Sequence, residues 1–171
     1  MKKTVFITGG ARSGKSSFAM AEASKIPGKK AYVATAEALD EEMRQRIEHH
    51  QKQRDSEWTT HEEPLEIASL IEAIRDDYSV VLIDCLTLWL SNLMQGDMDA
   101  EAEVKKLVST LGKPHPPIYL VSNEVGMGIV PENSLARSFR DMAGFLNQKM
   151  AAAADEVYMT VAGIPVQIKG G

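Results

Sequence analysis

The chain has 171 residues, of which 44% are hydrophobic and 25% charged; this fits one compact domain, and a chain of this size buries roughly 70% of its unfolded surface. A formal net charge of −5 without basic clusters argues against a nucleic-acid or membrane-surface protein, so any anionic ligand has to be held locally. The single cysteine, Cys85, permits no internal disulfide and no structural zinc site and reads as a buried small residue.

The chain opens on Val5-Phe6-Ile7, an apolar strand candidate, followed by a helix from about Gly14 to Lys25, the start of a βαβ unit. The glycines at 9 and 10 arrive before a secretory apolar segment could develop, and no run of 18 apolar residues follows, so a cytoplasmic protein is expected. Further strands are expected at Lys30 to Thr35, Ser79 to Asp84 and Pro117 to Ser122, continuous apolar runs of the kind that parallel strands covered on both faces require. Helices are expected at about Leu39 to Gln53, Pro64 to Asp77, Thr87 to Met94, Asp99 to Leu111 and Ser134 to Ala152. In the last of these, Leu135, Phe139, Met142, Leu146 and Met150 fall at helical spacing and read as core packing. Gly112 to Pro117 reads as a surface loop. Glu156 to Val161 and Val166 to Lys169, joined by Ala162-Gly163-Ile164-Pro165, look like an antiparallel edge hairpin. With no repeats and no dividing linker, residues 1–171 are expected to form a single α/β domain around a mainly parallel sheet.

Gly9-Gly10-Ala11-Arg12-Ser13-Gly14-Lys15-Ser16 matches G-x-x-x-x-G-K-[ST] between an expected strand and an expected helix, the context this phosphate-binding motif needs. Glycines let successive N–H groups point inward, the helix N-terminus adds a positive dipole end, Lys15 brings a full charge to the β/γ-phosphates, and Ser16 is placed to hold Mg²⁺. Asp84, ending the apolar run Val80-Val81-Leu82-Ile83, supplies the second metal-orienting carboxylate of such a site. The loop identifies triphosphate binding and not the reaction: kinases, motors and switches share it. The chain lacks an Asn-Lys-x-Asp tetrapeptide, which disfavours a guanine-specific switch.

Arg46, His50 and Arg54 recur every four residues and would share one stripe of the helix expected after the second strand. Guanidiniums on either side disfavour imidazolium, leaving His50 a neutral ring able to attack phosphorus while the arginines grip phosphate oxygens. The same stripe, with Glu42 four residues before Arg46 and the polar Gln51 and Lys52 nearby, also suits a solvated helix face. His49 points about 100° away and reads as a surface residue.

Over nearly its whole length the sequence resembles the bifunctional adenosylcobinamide kinase/adenosylcobinamide-phosphate guanylyltransferase family. The resemblance is carried by Thr8 to Ser16, by Arg46-Ile47-x-x-His50-x-x-x-Arg54, by Asn123-Glu124-Val125-Gly126-Met127-Gly128-Ile129-Val130-Pro131, and by Ala151-Ala152-Ala153-Ala154-Asp155-Glu156-Val157. It implies a RecA-like P-loop NTPase fold and a two-step activity. ATP or GTP phosphorylates the aminopropanol hydroxyl of adenosylcobinamide, and GMP from GTP is then transferred onto that phosphate to give adenosylcobinamide-GDP. It further implies a GMP-histidine on His50, with His49 as the fallback. The implied nucleotide contacts are Gly9, Gly10, Ala11, Arg12, Ser13, Gly14, Lys15 and Ser16, then Ala34, Thr35 and Ala36, then Gln51, Lys52, Gln53 and Arg54, with Glu62 and Asp84; Ser16 and Asp84 would meet Mg²⁺. A homotrimer with the corrinoid in clefts between subunits is also implied, the hairpin and Leu86 to Leu90 being possible contact surfaces, although Trp89 also suits plain core. No kinase base is named by the motifs. Glu124, at the end of an expected strand, and Arg137 or Arg140 on the next helix are the candidates, and both arginines also suit ordinary helix-surface pairing.

Overall fold

A computed structural model of the chain describes residues 2–37, 41, 56–96 and 98–171. Its strands are β1 (Thr4–Gly9), β2 (Lys30–Ala34), β3 (Trp58–Glu62), β4 (Val80–Asp84), β5 (Ile118–Asn123), β6 (Glu156–Val161) and β7 (Ile164–Lys169). The helices between them are α1 (Lys15–Ser24), α2 (Ile67–Ile74), α3 (Leu86–Gln95), α4 (Ala100–Gly112) and α5 (Ser134–Ala153). The strands make one sheet in the order β3-β2-β4-β5-β1-β6-β7, parallel throughout except for the antiparallel β6–β7 pair.

Burial on both faces explains why β4 reads as an unbroken apolar run: Val80, Val81, Leu82 and Ile83 are all fully buried. Alternate residues go to opposite sides. Val80 and Leu82 join Val5, Ile7, Tyr32, Tyr119 and Val121 under Ala19 and Ala23 of α1. Val81 and Ile83 join Phe6, Ile118 and Leu120 under α2, α3, α4 and α5. Trp89 of α3 is fully buried there, and its indole N–H donates to the Leu65 carbonyl at 2.7 Å, so the largest core side chain leaves no polar atom unpaired. Asp99 and Asn133 cap α4 and α5, each accepting from two first-turn amides.

Most expected elements are present within a residue or two, and the departures have physical reasons. β3 was not expected: Trp-Thr-Thr-His-Glu has no apolar run, because an edge strand is only partly covered. α2 is shorter than Pro64 to Asp77, since the Glu63 carboxylate takes the amides of Leu65 and Glu66 into a turn before the helix. The hairpin turn is only Ala162-Gly163, both at positive φ, so Ile164 and Pro165 belong to β7. Leu135 is 68% exposed instead of core, because it sits in the first turn of α5 before that helix reaches the sheet. Leu86, Thr87, Trp89 and Leu90 are buried within the fold and offer no surface to another subunit. Cys85 is buried as expected. The Gly112 to Pro117 loop is at the surface except for His115, which is buried with its ring against the Leu111 carbonyl and the Thr4 hydroxyl. The expected helix at Leu39 to Gln53 lies, apart from Glu41, outside the described residues.

Candidate phosphate-transfer site

All the parallel strands end at one edge of the sheet, and register places the candidate residues there. Glu62 of β3 is level with Ala34 of β2, which is level with Asp84 of β4. Gly9 of β1 is level with Asn123 of β5, the strand that lies between β1 and β4. Neighbouring strands lie about 4.8 Å apart, so β1, which leads into the loop, and β4, which ends on Asp84, run about 10 Å apart with β5 between them.

The loop between β1 and α1 is shaped by close approach. A Cβ on Gly9 would stand 2.5 Å from both the Ser13 and Thr160 hydroxyl oxygens, and Gly14 has φ +93° with the Gly163 Cα 3.1 Å from where its Cβ would be. The Ser13 amide closes the turn onto the Gly10 carbonyl at 3.2 Å, and Arg12 takes φ +56°. The tip of the C-terminal hairpin supports this loop: Ser13 Oγ and Thr160 Oγ1 share a hydrogen bond at 2.7 Å, and the Gly163 amide donates to the Ser13 carbonyl at 2.9 Å. Lys15 is buried, its Nζ donating to the Gly10 carbonyl at 3.0 Å, so the ammonium lies over the start of the loop. Burial pushes its pKa below the ordinary value, and the neighbouring Cys85 and Asp84 oppose that shift.

Asp84 lies on the α1 face of the sheet, where its Oδ2 accepts from the Tyr32 hydroxyl at 3.1 Å. The backbone just beyond it is clamped by Thr35, whose hydroxyl donates to the Cys85 carbonyl at 2.7 Å and accepts from the Cys85 amide at 2.8 Å. Thr35 is fully buried, its amide donates to the Asp84 carbonyl and its carbonyl accepts from Asn92, so within the Ala34-Thr35-Ala36 trio it acts on the strand ends. Glu62 is exposed on the same edge. Among the described residues no three His, Cys, Asp or Glu side chains gather to hold a metal. The donor set of one hydroxyl, Ser16, and one carboxylate, Asp84, fits Mg²⁺ held jointly with triphosphate oxygens and water. His49, His50, Arg46, Gln51, Lys52, Gln53 and Arg54 lie outside the described residues.

Residues 5–168 match the family described as cobinamide kinase / cobinamide phosphate guanyltransferase. The chain belongs to this family. It is 43% identical over 183 residues to the bifunctional adenosylcobalamin biosynthesis protein CobU of Escherichia coli, covering 96% of this chain and 99% of that protein. It is 44% identical over 168 residues to the bifunctional adenosylcobalamin biosynthesis protein CobP of Pseudomonas aeruginosa, covering 96% of each. Two solved structures share the fold. The flagellar accessory protein FlaH of Methanocaldococcus jannaschii has a TM-score of 0.58 at 12% identity, covering 99% of this chain and 79% of that one; the RadB recombinase has a TM-score of 0.56 at 14% identity, covering 92% and 74%.

In this bifunctional family member the sequence motifs had already pointed to the loop and to Asp84. What they missed are the supporting residues: Tyr32 on the carboxylate, Thr160 and Gly163 behind the loop, and Thr87 and Asn147 around Asn123. Tyr32 and Thr160 carry no motif, and only the register of distant strands brings them to the site.

Proposed function

We propose that one domain, residues 1–171, phosphorylates the hydroxyl of adenosylcobinamide with ATP or GTP and then moves GMP from GTP onto the new phosphate through a covalent GMP-histidine on His50. The observation that carries the reading is the loop Gly9–Ser16 with a buried Lys15 over its start and Asp84 two strands away on the same face. Lys15 and the loop amides neutralise the phosphates, and Mg²⁺ held by Ser16, Asp84 and the phosphate oxygens would supply charge stabilisation at the transferring group. Glu62, Ala34, Ala36 and Gln51 to Arg54 are proposed to bind the guanine nucleotide. A histidine carrier divides one crowded displacement into two, so pyrophosphate leaves before the corrinoid phosphate has to be positioned.

A corrinoid is too broad for a domain of this size to enclose beside a nucleotide, so the working unit is proposed to be a cytoplasmic homotrimer with the substrate between subunits. No described helix is long and apolar enough to cross a membrane. The test is incubation with α-labelled GTP, mapping of the labelled peptide, and a parallel kinase assay. Acid-labile, alkali-stable label on wild type, lost in His50→Ala with phosphorylation largely intact and kept in His49→Ala, is the expected result. Label lost in His49→Ala and kept in His50→Ala would move the nucleophile, and label kept in both would exclude a carrier on either histidine.

A further inference from the structure

β5 ends between the two strands that carry the phosphate-binding loop and Asp84. Along β5 the side chains alternate: Tyr119 and Val121 pack on the α1 face, and Ser122 points to the other face, where its hydroxyl donates to Asn147 Oδ1 of α5 at 2.7 Å and lies 3.2 Å from the Thr87 hydroxyl of α3. The next residue, Asn123, therefore presents its side chain on the α1 face, the face of Asp84. Val121 is level with Asp84, so Asn123 stands about 7 Å further toward the strand ends, level with Gly9.

The backbone of Asn123 is held from both sides. Its amide donates to Thr87 Oγ1 at 2.7 Å, and its carbonyl accepts from Asn147 Nδ2 at 3.1 Å. The following amide, of Glu124, donates to the Gly9 carbonyl at 2.8 Å and ties this strand end to the first residue of the loop. The Asn123 carboxamide itself is half-buried and has no hydrogen-bond partner among the described residues. Three elements thus fix a neutral donor beside the start of the loop. The Lys15 ammonium lies at that same end, on the Gly10 carbonyl, and in this motif the lysine marks the β/γ end of the triphosphate.

We infer that the Asn123 carboxamide donates to the γ-phosphoryl group and serves the kinase reaction selectively; this rests on the reading of Gly9–Ser16 as the triphosphate site. In phosphorylation the acceptor hydroxyl oxygen bonds to the γ-phosphorus as its bond to the β–γ bridging oxygen breaks, the hydroxyl proton passing to solvent and the nucleoside diphosphate leaving. The amide N–H then meets oxygens of the group being transferred. In guanylyl transfer the bond that breaks lies between the α- and β-phosphates, and the same donor touches only the departing pyrophosphate. Asn147 and Thr87 act as positioning residues through the Asn123 backbone.

The experiment compares Asn123→Ala, Asn123→Asp and Lys15→Ala for phosphorylation of adenosylcobinamide and for protein labelling by α-labelled GTP, with thermal melting of each. Loss of one preorganised donor predicts a fall of about 10²-fold or more in kinase kcat for Asn123→Ala. The labelling rate constant at saturating GTP should change by less than about threefold, any loss appearing in KM. Asn123→Asp, nearly the same shape but carrying a negative charge, should lose kinase activity at least as far, and it decides the matter should the alanine variant melt early. Equal loss of both reactions at unchanged melting temperature, or a wild-type kinase rate in either Asn123 variant, overturns the inference. If Lys15→Ala retains both activities, the triphosphate-site reading itself fails.

Discussion

Lys15 shows how one residue can be read from a motif and still gain meaning from its burial. Its ammonium is covered by protein and rests on the Gly10 carbonyl, a weak partner that an anionic phosphate would displace. Lys15→Ala is expected to lower both phosphorylation and GMP transfer by about 10²-fold or more, with both KM and kcat affected; steady-state assays of the two reactions check it. Cys85 is a different case, a free thiol buried next to Asp84. Burial pushes its thiol up from 9.0 to about 11, with Asp84 adding to the shift. The folded protein then keeps its proton where the unfolded chain begins to lose it, so this thiol costs no stability below about pH 9 and progressively more as pH rises toward 11. The native protein at pH 8 is expected to resist thiol-specific alkylation that proceeds rapidly in denaturant; labelling followed by mass spectrometry checks this. Cys85 as a buried small residue was legible from residue type. That Thr35 spends its hydroxyl on both backbone groups of Cys85 was not, because 50 residues separate them.

At the scale of elements, the phosphate loop and the C-terminal hairpin form one unit although 147 residues separate Ser13 from Thr160. Gly14 is where this matters most: its φ of +93° costs an L-residue about 1–2 kcal/mol, and a Cβ there would press on Gly163. Gly14→Ala is therefore expected to lower the melting temperature by about 2–8 °C and to weaken nucleotide binding at least tenfold, since the hairpin tip must withdraw from Ser13. Gly112→Ala, where nothing stands within 4 Å and φ is ordinary, serves as the comparison and should leave binding unchanged. Calorimetry and titration with a fluorescent nucleotide measure both. The buried strands were legible because covering on both faces demands apolar runs. The edge strand β3 was not, because half-covered Trp58 to Glu62 satisfies neither an alternating nor a continuous pattern.

At the scale of the whole molecule, the described residues leave apolar side chains exposed on β7, in the segment after β5, and at Leu135 and Phe145 of α5. β7 exposes Ile164, Val166 and Ile168, and the segment after β5 exposes Met127, Ile129 and Val130. With Leu86, Thr87, Trp89 and Leu90 buried, β7 and the segment after β5 are the surfaces assigned to the proposed trimer and to a broad corrinoid face. Sedimentation at micromolar concentration is expected to show a trimer, and Ile168→Asp with Val166→Asp to shift it toward monomer with loss of transfer to the corrinoid; a fully active wild-type monomer would exclude this assembly. The sequence by itself determined the α/β class, the phosphate loop, Asp84 at a strand end and the family, because each is encoded within a few neighbouring residues by turn geometry, charge or burial. Tertiary structure alone decided that Tyr32 holds Asp84, that the hairpin tip braces the loop, and that Asn123 stands level with Gly9 on the strand between β1 and β4. Those relations depend on strand order and register, which are settled by packing two faces of a sheet at once and leave no local mark on the chain.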